Sequence, residues 1–69
     1  MKFYETIMRP DGIKTWWTQR NERGDFFEIE QRGLFTKIFI AKVNGERYGI
    51  FDTLNEAEKA LRNYERSSA

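Results

Sequence analysis

Cysteine and histidine are both absent from the 69 residues. That removes disulfides, thiolate nucleophiles, the one side chain that titrates near neutrality unaided, and every His or Cys metal ligand. The only serines, Ser67 and Ser68, stand in a polar tail, and the glycines follow neither a GxGxxG spacing nor a GxxxxGK spacing closed by Ser or Thr. No activated hydroxyl and no phosphate cradle is therefore written in the chain. A non-enzymatic protein with no cofactor and no metal is the expectation. Long apolar runs are missing too: none approaches the ~20 residues of a membrane span, and the first ten residues are too polar for a signal peptide. No membrane partner and a cytoplasmic location are expected.

What is present is aromatic. Leu, Ile, Val and Phe together make up sixteen residues, joined by three Tyr and two Trp. This share lies just above the ~20% below which chains tend to stay disordered. A domain of this length buries only roughly 60% of its unfolded surface, so its stability must come from large aromatic side chains or from a partner.

Glycines at 12, 24, 33 and 45 punctuate the chain. Between them lie short runs rich in aromatic and β-branched residues, the pattern of an antiparallel sheet. It predicts strands near 2–8, 13–20, 25–31, 34–43 and 46–51, joined by Pro10-Asp11-Gly12, Asn21-Glu22-Arg23-Gly24, Arg32-Gly33 and Asn44-Gly45. The last is the strongest hairpin signal, because a type I′ turn needs positive φ at both central residues.

After Phe51 the period changes. Thr53 followed by Glu56 makes a capping box, in which hydroxyl and carboxylate satisfy orphan amides at a helix start. Leu54, Ala57, Leu61 and Tyr64 then recur at three- and four-residue steps, so a helix is expected over about 54–66 with one apolar stripe. Its other face carries Asn55, Glu58, Lys59, Arg62 and Glu65, with Glu58 and Arg62 at i,i+4.

Turn lengths give a trial register. A two-residue loop at Asn44-Gly45 sets Val43 against Glu46, Lys42 against Arg47, Ala41 against Tyr48 and Ile40 against Gly49. A similar loop at Arg32-Gly33 sets Glu28 against Lys37 and Phe27 against Ile38, and a four-residue loop at 21–24 sets Trp16 against Ile29. Two apolar faces result. One holds Trp16, Phe27, Ile29, Leu34, Ile38, Ile40 and Phe51, with Lys14, Arg20, Lys42 and Arg47 at its margins. The other holds Trp17, Phe26, Phe35, Phe39, Ala41, Val43, Tyr48 and Ile50, with Glu28, Glu30, Lys37 and Glu46 among them. A single helix covers only one face, so the remaining apolar surface must curl inward, form a homodimer or meet a partner.

Lys42 opposite Arg47 sets like charges across a ladder, which is destabilising unless an anion lies near or the two chains reach apart into water. Segment 32–47 carries Arg32, Lys37, Lys42 and Arg47 against Glu46 alone, a local excess of three positive charges in a chain of net charge +1. Such a patch suits salt-sensitive nucleic-acid binding of modest affinity. The candidate nucleic-acid-binding residues are Lys14, Trp16, Arg20, Lys42 and Arg47, with Trp16 as the stacking residue.

The stretch from Ile40 through Asn44-Gly45-Glu46-Arg47-Tyr48-Gly49-Ile50-Phe51-Asp52-Thr53 to Glu56-Ala57 and Ala60 resembles the last hairpin and helix of the plant ethylene-response-factor type DNA-binding domain. It also resembles the arm-binding domains of phage integrases. In both, strands lead through G-x-F-x-T-x-x-E-A into a helix. The resemblance implies a module whose sheet enters the DNA major groove with the helix behind it, and a phage or mobile-element origin by analogy. The final strand is shorter than in the plant pattern, and Glu28 and Glu30 do not suit a groove reader, so no base-contacting residue is carried over. Single-strand binding domains of the transcription-coactivator type are similar in topology: a curved antiparallel sheet, then a helix, in a dimer.

The sequence thus predicts an α+β fold, a single antiparallel sheet of four or five strands followed by one C-terminal helix packed on one face. Residues 1–66 form one small domain and 67–69 a disordered tail. The expected role is a small interaction module binding DNA or RNA through its sheet. The alternative is a protein-binding or inhibitor-type module, phage-encoded by the same analogy, acting through exposed aromatics.

Overall fold

Asn44 and Gly45 both take positive φ, 53° and 85°. They close the hairpin that the dipeptide predicts, with Val43 facing Glu46 and Lys42 facing Arg47. The side chain of Asn44 does more than tolerate the turn. Its Oδ1 accepts from the Phe26 amide at 2.9 Å, and its Nδ2 donates to Asp25 Oδ1 at 2.9 Å. One residue thus ties the last hairpin to the preceding loop.

The structure, a computed structural model, describes residues 1–6, 13–33 and 35–67. Its elements are β1 (Tyr4–Thr6), β2 (Thr15–Trp17), β3 (Phe27–Arg32), β4 (Ile38–Val43), β5 (Glu46–Phe51) and α1 (Leu54–Ser67). The five strands form one antiparallel sheet in sequence order, and the helix packs against it, an α+β fold as expected. The Pro10-Asp11-Gly12 turn, the end of the first expected strand, Leu34, and Ser68 and Ala69 of the expected tail lie outside the described residues. Ser67 is the last residue of the helix.

The loop at 21–24 is built on Asn21, whose Oδ1 accepts from the amides of Arg23 and Asp25 at 2.9 and 3.0 Å, with Gly24 at φ 83°. This sets Trp16 opposite Ile29, the register that loop predicts. Thr18 continues the ladder beyond β2: its amide donates to Phe27 O, and its buried hydroxyl accepts from the Phe27 amide at 3.0 Å.

Two register expectations are corrected. Arg32-Gly33 is not a two-residue loop. The strand β4 begins only at Ile38, and β3 pairs with it as Phe27↔Val43, Glu28↔Lys42, Ile29↔Ala41 and Arg32↔Ile38. Gly33 takes φ 106°, and a Cβ there would collide with the Thr36 carbonyl oxygen, so only glycine fits this position. Both registers give Glu28 a lysine, Lys37 or Lys42. Only the observed one sets Phe27, Ile29, Ala41 and Val43 together beneath the helix. The shift of five residues is odd, and it turns every β4 side chain to the other face.

The second correction is a bulge in β5. Beyond Lys42↔Arg47 the partners become Ala41↔Gly49, Ile40↔Ile50 and Phe39↔Phe51, leaving Tyr48 as the extra residue. Tyr48 lies on the helix side, where its ring meets Tyr64 edge-on at 5.3 Å, and the bulge shifts the residues after it so that Phe51 faces Phe39. Gly49 leaves room there for the Phe51 ring, which a Cβ would approach to 3.0 Å.

The core is Phe27, Ile29, Ala41, Ala57 and Leu61, with Phe3, Trp16, Phe39, Val43, Phe51, Leu54 and Tyr64 packed around it. The helical stripe read from the sequence is therefore the face that is covered. Thr53 caps the helix, its Oγ1 accepting from the Glu56 amide at 3.1 Å. Arg62 does not pair with Glu58. It donates to the Met1 carbonyl at 3.1 Å and lies over the Phe3 ring, pinning the N-terminus to the helix.

Candidate functional site

Cross-strand partners share a face, so the register assigns the side of the sheet that the helix leaves uncovered. One row there runs across all five strands: Tyr4, Trp17, Glu28, Lys42 and Arg47. A second row carries Thr6, Thr15, Glu30, Ile40 and Ile50, and Arg32 opposite Ile38 closes the end nearest the 33–37 loop.

The two ends of the first row differ in chemistry. At the β1 edge the rings of Tyr4 and Trp17 stack at 4.9 Å, Trp17 Nε1 donates to Thr6 Oγ1 at 2.9 Å, and Lys2 Nζ lies 5.1 Å from the Tyr4 ring centre. At the β4–β5 edge Lys42 and Arg47 stand opposite each other. Three strand spacings separate Trp17 from Arg47, about 14 Å.

Between these ends lies Glu30, only 8% exposed. Its Oε1 accepts from Arg32 Nε at 2.6 Å, and its Oε2 lies 3.9 Å from Lys42 Nζ. A buried carboxylate is costly unless paired, and these two cations flank it. The anion expected near the Lys42–Arg47 pair is thus supplied in part by the protein itself. Arg47 makes no ion pair among the described residues and is exposed. Glu30, Arg32, Ile40, Lys42 and Arg47 line a shallow depression of about 340 Å³.

Of the residues read from the sequence, this face gathers Lys42 and Arg47. Trp16 lies on the other face, packed against the core with its ring 5.9 Å from that of Phe39. Lys14, on the side of Trp16, has its Nζ 3.7 Å from Glu5 Oε1. Arg20 belongs to the β2–β3 turn, where it donates to the Gly24 carbonyl and lies over the Phe26 ring at 4.8 Å. The five therefore do not converge. Arg32 and Glu30 were missed as part of the cluster because the trial register turned β4 over. The alternation of Glu28, Glu30 and Arg32, which puts three charges on one side of β3, was the signal that could have found them.

A larger hollow of about 570 Å³ lies between the Asn21 turn and the end of the helix, lined in part by Arg23, Arg62 and Arg66. Its polar groups bond one another: Asn21 Nδ2 donates to Glu65 Oε2 at 2.9 Å, and Arg23 Nη2 to the Glu65 carbonyl at 3.2 Å. These bonds hold the turn to the helix. Among the described residues no group of three or more acidic side chains is placed to hold a metal ion, and no helix is long and apolar enough to cross a membrane. Comparison of the chain with family models, with curated proteins and with solved structures returned no match.

Proposed function

We propose that this protein is a small non-enzymatic interaction module that binds nucleic acid through the helix-free face of its sheet. The observation that carries this reading is the convergence of Arg32, Lys42 and Arg47 around one depression, on the face whose opposite edge holds the stacked Tyr4 and Trp17. Cations that follow a phosphate chain and aromatics that meet bases are the two elements of sheet-based nucleic-acid binding. The resemblance of residues 40–60 to sheet-reading DNA-binding domains supports it by analogy. A cytoplasmic location goes with this role.

The test is a titration of labelled single-stranded and duplex oligonucleotides at about 50 mM salt, where electrostatic contacts are strong. Binding is expected, with Lys42→Ala and Arg47→Ala each weakening it similarly for all sequences and flattening the salt dependence by roughly one unit of slope per duplex contact. Absence of any binding at that salt removes the reading.

Glu28 and Glu30 on the same face favour a second reading, a protein partner that meets both signs of charge. In that case substitution of exposed apolar groups such as Trp17 and Ile50 abolishes capture of the partner, while charge changes mainly slow association. Self-association is part of the proposal, since a dimer doubles the number of cations offered to one strand. Tyr48 and Ile50, about half exposed at the β5 edge, are the groups two copies would share. The bulge at Tyr48 disfavours continuous strand pairing there, so the contact would be between side chains. Light scattering at micromolar concentration should give a dimer mass, and a monomer mass removes this part.

A further inference from the structure

Phe35 is 99% exposed. Burying such a ring is worth about 1.5–3 kcal/mol, so a phenylalanine wholly in water at a loop tip is an anchor without its socket. The loop that carries it is shaped, because Gly33 at φ 106° receives the Thr36 carbonyl where a Cβ would stand. Phe35 thus stands in water between Gly33 and the start of β4. Arg32 and Lys37 flank the loop and residues 31–45 contain no Asp or Glu, while Glu30 of the same strand engages Arg32. Arg32 opens onto the helix-free face, and four residues further back along β3, about 13 Å, the row of Lys42 and Arg47 begins.

We infer that Phe35 is a further base-stacking residue of the proposed nucleic-acid surface, and that its ligand is single-stranded, entering at the loop tip and running along Arg32 towards Lys42 and Arg47. This rests on the nucleic-acid reading and deepens it. A single strand suits a loop-tip ring because its base faces are free, whereas a duplex would first have to be unstacked, and the cations need only phosphates. The stacking role expected of Trp16 passes to a residue the fold leaves in water.

The test uses the full chain and three fluorescein-labelled probes of equal length: an oligothymidylate, its abasic sugar–phosphate counterpart, and a duplex. Phe35→Ala should weaken oligothymidylate binding roughly ten-fold and leave abasic binding unchanged, and Phe35→Trp should restore it. The melting midpoint of Phe35→Ala should equal that of the parent, since the ring touches no core. Equal losses on the oligothymidylate and abasic probes, or no loss on either, overturn the assignment while the nucleic-acid reading stands on the Lys42 and Arg47 effects. Tighter binding of the duplex overturns the single-strand assignment. A parent protein that binds none of the probes overturns both readings. Phe35-dependent binding to phosphatidylserine vesicles, with none to the oligothymidylate, assigns the ring to a lipid surface instead and overturns the inference.

Discussion

Lys42 and Arg47 face each other across the last hairpin, and the Glu30 carboxylate, reaching from the third strand, lies 3.9 Å from Lys42 Nζ. The same carboxylate accepts from Arg32 at 2.6 Å. A like-charge pair on a ladder destabilises it, and here an anion within the sheet offsets part of that repulsion.

Glu30→Gln should therefore destabilise the fold, because it leaves Lys42 and Arg47 facing each other with the central charge removed. Lys42→Ala should be less harmful in that background than in the parent. A double-mutant cycle read by urea unfolding should return a coupling on the order of 1 kcal/mol. Additive effects would show that Glu30 and Lys42 do not interact in solution.

Thr53→Ala removes the hydroxyl that accepts from the Glu56 amide and should cost about 1 kcal/mol. In a domain this small the melting midpoint should fall by roughly 4–8 °C. An unchanged midpoint would place the helix start elsewhere.

Asn44 combines a positive φ with side-chain bonds to Phe26 and Asp25. Asn44→Gly keeps the backbone conformation and loses those bonds, so a loss of about 1–3 kcal/mol is expected from the orphaned groups. Asn44→Ala adds backbone strain and should cost more. Thermal unfolding of the two variants separates the two contributions, and equal losses would mean that the turn geometry carries no strain.

The neighbouring tryptophans should behave differently. Trp16→Ala opens the edge of the core beside Phe39 and should lower stability by about 2–3 kcal/mol, with any change in ligand binding following the loss of folded protein. Trp17→Ala, on the other face and 37% exposed, should cost less stability. Parallel unfolding curves and titrations test this, and the reverse order of stability losses would overturn the assignment of faces.

Local chemistry determined much of this protein. The Asn44-Gly45 turn, the Thr53 cap, the stripe from Leu54 to Tyr64 and the order of the five strands each follow from residues a few positions apart, whose conformational preferences act without knowledge of the rest of the chain. The register of β3 on β4 was decided otherwise. Glu28 finds a lysine at 37 or at 42, so local charge left the choice open. What closed it was the helix, which buries Ala57 and Leu61 against Phe27, Ile29 and Ala41 only in the longer-loop register. The bulge at Tyr48 likewise answers to the core: it brings Phe51 opposite Phe39, both packed against residues the helix covers. Because side chains alternate along a strand, the β3–β4 register set Arg32, Lys42 and Arg47 together on the face the helix leaves open. The helix, by covering the side of Phe27 and Ile29, placed Trp16 against the core.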